Sequence, residues 1–241
     1  MKYGRSFVAF CALAVTCFMG CCGNDCAVNV DAGAYNEIVS ENGLMVVYPN
    51  FTKIDLVCGT MPSKSDTAVI LVVEAAYTEA KLDKFVHANI AGDHVSGGVR
   101  YGGYRCDRNT GAFVYYNGAW KSCHKDYLHE LDSAALYGGA AFAQELIMKD
   151  GVLLETGRKD LDCNVFRALC EREGRLCIME AESWVTFGRF KKKLLEAGVE
   201  NAIYMDMGSG WNHSWLRTDT GVVELHPKVH DYCTNWITFY R

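Results

Sequence analysis

The sequence has little proline and no concentrated positive charge. Three prolines among 241 residues exclude a stiff proline-rich linker between domains. A net charge of -5, without a basic face, excludes the electrostatic footprint of a nucleic-acid-binding protein, so we expect no nucleic-acid partner. About half of the residues are apolar, which excludes a disordered chain and indicates a globular protein.

Long apolar runs are also absent, except near the N-terminus. Residues 7–19 carry no charge and follow Lys2 and Arg5, but this run is too short to span a bilayer, which needs about 20 residues. The arrangement is typical of a signal peptide, here residues 1–20. The run ends in FMGC, which resembles a lipobox. Lipidation of Cys21 would then anchor the exported protein to the membrane of the cell envelope, and plain secretory cleavage is the alternative.

After the signal peptide, residues 21–43 are polar and predict a tether, and residues 44–241 predict one domain. Strand-like and helix-like segments are mixed, several hairpins turn at glycine, and no regular βαβ alternation appears. We therefore predict the α+β class, with largely antiparallel sheets built from hairpins and a few helices packed on them. Predicted strands include residues 44–48, 54–58, 68–73 and 201–206; predicted hairpins span 112–123, 142–155 and 165–180; predicted helices span 79–86, 127–139 and 187–197. For the last helix, Thr186 is the predicted cap, Gly198 ends the helix, and one face is expected to carry Phe187, Phe190, Leu194 and Leu195.

Cysteine and histidine give only weak metal signals. Cys163, Cys170 and Cys177 recur every seven residues without a C-x-x-C pair, so buried small side chains are favoured over a metal set. His87 and His94 flank a glycine-rich loop, but their spacing matches no zinc framework. We predict that these histidines are hydrogen-bonded, and we predict no metal and no cofactor.

The stretch AIYMDMGSGWNHSW (202–215) carries the strongest site signal. Asp206 ends a buried strand, and the glycines after it allow backbone N–H groups to converge on an anion. The alternative is a tight turn in which the aspartate caps neighbouring N–H groups. The residues expected to bind an anionic ligand here are Gly208, Ser209, Gly210, Asn212 and His213.

Three further charged residues lie inside apolar segments. Glu74 ends the buried strand AVILVV, and we expect its strand end to converge with that of Asp206. Glu145 lies within the otherwise apolar segment QELIM. Its side chain faces either solvent at a sheet edge, which is slightly favoured, or a functional site. Arg167 in NVFRALC suits a bidentate grip on phosphate, with a structural ion pair to Glu145 or Asp206 as the alternative.

The segment from Arg167 to Gly210 resembles the C-terminal half of the phosphodiester glycosidase domain family. In that family an arginine-led strand, a second strand, a helix and a strand ending Leu-Asp-Gly-Gly-Gly-Ser follow one another. Here the last motif reads Met205-Asp206-Met207-Gly208-Ser209-Gly210. Upstream, YGGAAFAQELIMKDGVLL and AVILVVEAAYT are similar to two other family segments, so the resemblance covers roughly residues 65–217.

The resemblance implies a hydrolase that cleaves the sugar–phosphate glycosidic bond of a sugar phosphodiester. Its members include an enzyme that removes N-acetylglucosamine from such a diester. Glycosidases commonly use two carboxyl groups around an oxocarbenium-like transition state. In this interpretation Asp206 is the nucleophile or base, Glu74 or Glu145 is the second carboxyl group, and Arg167 holds the phosphate.

Two departures from the family pattern leave an alternative open. Glu74-Ala75-Ala76 stands where the family has Asn-Gly-Gly, and Met207 replaces a glycine, although alanine and methionine resist the positive φ that glycine allows. The alternative is a non-catalytic surface lipoprotein of the same fold that binds a carbohydrate or phosphoglycan.

Overall fold

The computed structural model describes residues 36–78, 87–103, 110–158, 163–207, 213–226 and 233–241. These residues form seventeen strands and two helices. The first strands are β1 (Glu37–Glu41), β2 (Leu44–Tyr48), β3 (Lys53–Cys58), β4 (Val69–Glu74), β5 (His94–Ser96), β6 (Val99–Tyr101), β7 (Gly111–Tyr116) and β8 (Ala119–His124). After helix α1 (Leu128–Leu136) come β9 (Ala140–Gln144), β10 (Leu146–Lys149), β11 (Val152–Leu153), β12 (Arg167–Arg172) and β13 (Arg175–Ala181). Helix α2 (Phe187–Glu196) precedes β14 (Asn201–Met205), β15 (Ser214–Thr218), β16 (Gly221–His226) and β17 (Asn235–Tyr240).

The strands build three antiparallel sheets. The first has seven strands in the order β1-β2-β13-β12-β14-β10-β11, the second has the order β16-β15-β4-β17-β3, and the third has the order β6-β5-β9-β7-β8. The described residues therefore lie mainly in β-strands, and only two helices occur among them. The predicted α+β class is consistent in this coarser form.

The main core lies where the three sheets face one another. It combines Leu56 and Ile70 of the second sheet, Phe113 of the third, and Leu169 and Ile203 of the first. The opposite face of the first sheet is covered by α2 and forms a separate apolar cluster. Strand β4 is buried along its whole length, which explains its continuous apolar sequence.

The glycine hairpins follow from turn chemistry. Asn117 and Gly118 both have positive φ, 52° and 74°, as a two-residue type I′ turn requires, and they join β7 to β8 as predicted. Glu173 and Gly174 play the same part between β12 and β13, with φ of 53° and 68°. The predicted hairpin at 165–180 is therefore confirmed.

The predicted hairpin at 142–155 is only partly correct. Asp150 and Gly151 do turn β10 into β11, but the strand before them is not continuous. It breaks at Glu145, because β9 pairs within the third sheet while β10 pairs within the first. A residue at which the chain changes sheets is buried from both sides, so simple strand alternation does not describe its surroundings.

Helix α2 confirms its predicted ends to within one residue, whereas α1 spans Leu128–Leu136 rather than the predicted 127–139. The Thr186 side chain accepts a hydrogen bond from Arg189 N, and Gly198 follows α2 with a φ of 73°. Phe187, Phe190 and Leu194 are buried as predicted, but Leu195 is 45% exposed, so its assignment to the buried face is wrong. The predicted helix at 79–86 lies outside the described residues. In the described part of the chain no helix combines the length and the apolar character needed to cross a bilayer.

The N-terminal predictions are tested only from residue 36 onward. Residues 37–41 of the predicted tether form β1, which pairs with β2, so ordered structure begins before the predicted boundary at residue 44. Cys21 and the signal segment lie outside the described residues. Among the heptad cysteines, Cys170 and Cys177 are buried opposite each other on β12 and β13, whereas Cys163 is exposed.

Candidate functional site

The ends of β4 and β14 meet, as the sequence predicts. Asp206 N donates a hydrogen bond to the Ala75 carbonyl oxygen over 2.9 Å, which places the residue after β14 beside the residue after β4. The side chain of Asn235, the first residue of β17, fixes the same turn. Its carboxamide accepts from Ala76 N at 2.8 Å and donates to Ala76 O at 2.9 Å.

Glu74 is a buried carboxyl group held next to a second one. It is 1% exposed, and its Oε2 accepts a hydrogen bond from the Cys233 thiol at 2.7 Å. Burial and then the negative charge of Asp206 raise the pKa of Glu74 to about 8, against smaller lowering effects of Cys233 and Arg167. Neighbouring carboxyl groups in a buried site do not readily ionise together. Glu74 therefore carries its proton at neutral pH.

Arg167 points inward rather than to solvent. It starts β12, opposite Glu180 of β13 and Met205 of β14, and its side chain is fully buried. Its Nε donates to Glu180 Oε2 at 2.9 Å, and its Nη2 donates to Ser214 Oγ at 2.9 Å. Its Nη1 has no hydrogen-bond partner among the residues that the structure describes. Because a buried N–H group without a partner is costly, Nη1 is the point where a ligand oxygen would fit.

Glu180 is the ion-pair partner of this arginine. It contacts Arg167 on one side and His226 Nε2 on the other. Burial opposes ionisation of Glu180, but the charges of Arg167 and His226 and their hydrogen bonds outweigh it and lower the pKa of the carboxyl group. The alternative interpretation of Arg167 as a structural ion-pair residue is therefore correct in kind, but its partner is Glu180 rather than Glu145 or Asp206.

Glu145 does not face solvent, contrary to the favoured interpretation, because it is 1% exposed. It forms an ion pair with Arg158, with 3.5 Å between Oε2 and Nε, and its Oε1 accepts from Arg158 N at 3.2 Å. The Arg158 guanidinium lies 4.4 Å from the centre of the Tyr204 ring, and it also stacks over Phe187 of α2. Glu145 is thus tied to the helix-covered face of the first sheet.

Of the five predicted ligand-binding residues, only His213 is described. Its ring is buried and Nε2 lies 2.9 Å from Glu224 Oε2, while Nδ1 has no hydrogen-bond partner within the described part of the chain. It directly precedes Ser214, which contacts Arg167. The other four, Gly208, Ser209, Gly210 and Asn212, lie outside the described residues.

Several residues of the site were not found from the sequence. Glu180 could have been noticed as a second charged residue in an apolar strand, the same signal that identified Arg167. Ser214, His226, Cys233 and Asn235 gave no such signal, because each reaches the site only through sheet pairing with distant strands. The site therefore contains more hydrogen-bonding support than the sequence analysis indicated.

No known protein-family profile matches the chain, and no curated protein matches it in sequence. Among solved structures it is similar to the zebrafish N-acetylglucosamine-1-phosphodiester alpha-N-acetylglucosaminidase catalytic domain, auto-inhibited by its pro-peptide. The TM-score is 0.54 and the identity 11%, over 86% of this chain and 81% of that one. The two chains share a fold. A hypothetical protein from Synechocystis is similarly related, with a TM-score of 0.55 and 10% identity over 86% of this chain and 61% of that one. At such identities the likeness concerns the fold alone.

Proposed function

We propose that the chain is a hydrolase that cleaves the sugar–phosphate glycosidic bond of a sugar phosphodiester. The observation that carries this proposal is the hydrogen bond from Asp206 N to Ala75 O. It joins two strand ends, each bearing a carboxyl group, in a site whose guanidinium has one unused nitrogen. The fold shared with a phosphodiester glycosidase catalytic domain supports the same reaction class.

The protonation of Glu74 makes this site suitable for an anionic substrate. An ionised Glu74 would repel a phosphodiester, but a pKa of about 8 keeps the carboxyl group neutral at pH 7. The departure from the family's Asn-Gly-Gly pattern is then less severe than its charge suggests, because a protonated carboxyl group, like an amide, donates a hydrogen bond.

The two carboxyl groups take complementary parts in the proposed reaction. Asp206 acts as nucleophile or base at the anomeric carbon, and Glu74 gives its proton to the departing phosphate oxygen as the carbon–oxygen bond breaks. Water supplies the hydroxyl group of the released sugar, and the phosphate leaves as a monoester. Glycosidases assign these two roles by placing the two carboxyl groups in environments that give them different pKa values.

Arg167 holds the phosphate in this scheme. Its Nε and Nη2 are already engaged by Glu180 and Ser214, so the side chain is fixed in place before a ligand arrives. Its free Nη1 then adds a charge-assisted hydrogen bond to a phosphate oxygen without reorganisation. Binding of the phosphodiester would satisfy a guanidinium nitrogen that has no hydrogen-bond partner among the described residues.

Removing the Asp206 carboxylate tests the proposal. We expect purified protein to release N-acetylglucosamine or another sugar from a panel of sugar phosphodiesters, and Asp206→Asn to lower kcat by about 100-fold or more. Asp150→Asn is the matched control, since Asp150 lies in an exposed turn. Equal turnover by wild type and Asp206→Asn would exclude Asp206 as the catalyst. Glycan binding without turnover by any variant would favour the non-catalytic alternative.

We also propose that the protein is exported and anchored to the cell envelope through lipid on Cys21. The charged start, the apolar run and the FMGC sequence support this proposal. In cells, we expect the wild-type chain to partition into detergent and Cys21→Ala to remain in the aqueous phase. Cys163→Ala is the control for the loss of a thiol. Identical partitioning of wild type and Cys21→Ala would contradict lipidation at this position.

A further inference from the structure

A second cluster of chemically active side chains lies on the other side of β17 from the carboxyl groups. Cys58, His87 and His94 each offer one ligand atom, and these atoms all lie within 4.8 Å of one another. Cys58 ends β3 and pairs with Asn235 of β17, whereas Trp236, the next residue of β17, pairs with Glu74. The cluster has no part in the proposed hydrolysis.

The three residues come from separate parts of the fold. Cys58 belongs to the second sheet and His94 to the third, and the Ser96 hydroxyl, which donates to Leu56 O at 2.7 Å, joins the two sheets beside them. His87 lies in the described segment before β5, where its ring stacks on Tyr101 at 3.7 Å between ring centres. Neighbouring elements therefore hold all three side chains in position.

The hydrogen bonds of His94 fix its tautomer. His94 Nδ1 lies 2.9 Å from Gly92 O, and because a carbonyl oxygen only accepts, Nδ1 carries the proton. With its proton on Nδ1 and directed at Gly92 O, the His94 ring presents the lone pair of Nε2. A histidine whose second nitrogen is bound to a backbone carbonyl is the usual arrangement around a metal.

The Nε2 lone pair is aimed into the cluster. His87 Nδ1 lies 2.9 Å from it, so in the metal-free protein His87 donates the proton of this hydrogen bond. The predicted hydrogen-bonded histidines are therefore confirmed. That proton is the one a metal ion would displace, because metal binding requires deprotonated ligands.

We propose that Cys58, His87 and His94 form a zinc site with one thiolate and two imidazole ligands. Sulfur and nitrogen donors suit Zn²⁺, with bonds of about 2.0–2.3 Å, which correspond to ligand–ligand separations of roughly 3.3–3.8 Å in tetrahedral geometry. The two imidazole nitrogens lie 2.9 Å apart, and all three ligand atoms lie within 4.8 Å of one another, so modest side-chain movements complete the site. Three protein ligands leave the fourth position open to water or an external ligand.

A zinc ion here would link two sheets next to the candidate active site. It would tie the end of β3 to the start of β5, and β3 pairs with the strand whose Asn235 side chain holds Ala76. Because zinc binds the folded chain and not the separated ligands, it would raise the stability of the protein by mass action. Zinc binding would therefore stabilise the fold, whichever ligand takes the fourth coordination position.

Cobalt substitution tests the proposal without relying on catalysis. The full-length protein, reduced with a phosphine, would be titrated with Co²⁺ and then with Zn²⁺. We expect a tetrahedral cobalt spectrum with a thiolate-to-cobalt charge-transfer band, which one equivalent of zinc abolishes. Cys58→Ser should lose the charge-transfer band, and His94→Ala should weaken cobalt binding by at least about 10-fold, the lower end of the change expected for altered metal sites.

Matched controls and a second measurement keep the test decisive. Cys163→Ser and His129→Ala change exposed side chains and should keep the wild-type spectrum. In the wild type itself, zinc should protect Cys58 from alkylation more than Cys163, as mapped by peptide mass spectrometry. An unchanged charge-transfer band in Cys58→Ser, or equal alkylation of Cys58 with and without zinc, would overturn the proposal.

Discussion

Two arginine–glutamate pairs, each with a buried glutamate, lie on opposite faces of the seven-stranded sheet. Arg167–Glu180 faces the other sheets and the candidate active site, whereas Arg158–Glu145 faces the helix. Arg167 and Glu180 are 0% and 4% exposed, and Arg158 and Glu145 are 25% and 1% exposed. The first pair is joined at 2.8 Å and the second at 3.5 Å.

The difference between the pairs lies in what surrounds each guanidinium. Arg158 rests on aromatic rings of Tyr204 and Phe187, an arrangement that satisfies its charge within the core. Arg167 instead contacts the polar groups of Glu180 and Ser214. The same pair of residue types thus packs against aromatic rings on one face of the sheet and against polar side chains on the other.

The largest expected effect is at the first pair. Arg167→Gln leaves Glu180 buried without its guanidinium, so we expect the free energy of unfolding to fall by about 3–5 kcal/mol and sugar phosphodiester turnover to disappear. Denaturation in urea and the sugar-release assay measure the two effects. Arg189→Gln, on the exposed side of α2, is the control. Wild-type stability in Arg167→Gln would show that the pair contributes nothing.

A smaller effect is expected at the second pair. Arg158→Met keeps the contact with the aromatic rings but leaves the Glu145 carboxyl group without its partner, at a cost of about 1–3 kcal/mol. Turnover per folded molecule should be unchanged, because Arg158 faces the helix. A loss of turnover in excess of the loss of folded protein would place the second pair in the site as well and remove the contrast.

The effect expected at Glu74, a buried carboxyl group without a guanidinium of its own, is a dependence of stability on pH. Its pKa is raised from 4.5 to about 8 in the fold, so between these pH values the folded state binds one more proton than the unfolded state. Stability is fully present below pH 4.5 and falls by about 1.4 kcal/mol per pH unit as pH rises towards 8.

The substitution Glu74→Gln tests whether Glu74 causes this dependence of the unfolding free energy on pH. The variant should lose the Glu74 contribution, so its unfolding free energy should depend less on pH than that of the wild type between pH 4.5 and 8. Glu182→Gln, at an exposed position, should keep the wild-type slope. Parallel pH profiles for Glu74→Gln and the wild type would mean that Glu74 ionises normally in the fold.

The sequence predicted those parts of the fold that local chemistry determines. The Asn117-Gly118 turn, the Thr186 cap and the buried strand before Glu74 each depend on residues close in the chain. The convergence of Glu74 with Asp206 was also expected, because both end buried strands. Such features can be predicted from turn residues, from apolar periodicity and from the rarity of unpaired charges in a protein core.

The remaining features depend on which strands become neighbours. Glu145 looked solvent-facing because alternation assumes one continuous strand, and here the chain leaves one sheet for another at that residue. The partner of Arg167 is Glu180 because β12 and β13 place them opposite each other, whereas the expected partners lie elsewhere. Cys58 lies far along the chain from His87 and His94, so spacing alone gave no metal signal.

The hydrogen bond between Asp206 and Ala75 joins residues separated by more than half the chain. Non-local contacts of this kind close only after the intervening segments are in place. Neither half of the chain can therefore hold a working copy of this constellation, and hydrolytic competence would report on completion of the whole fold. Proteolytic cleavage between the two residues should therefore abolish hydrolytic activity once the two fragments dissociate.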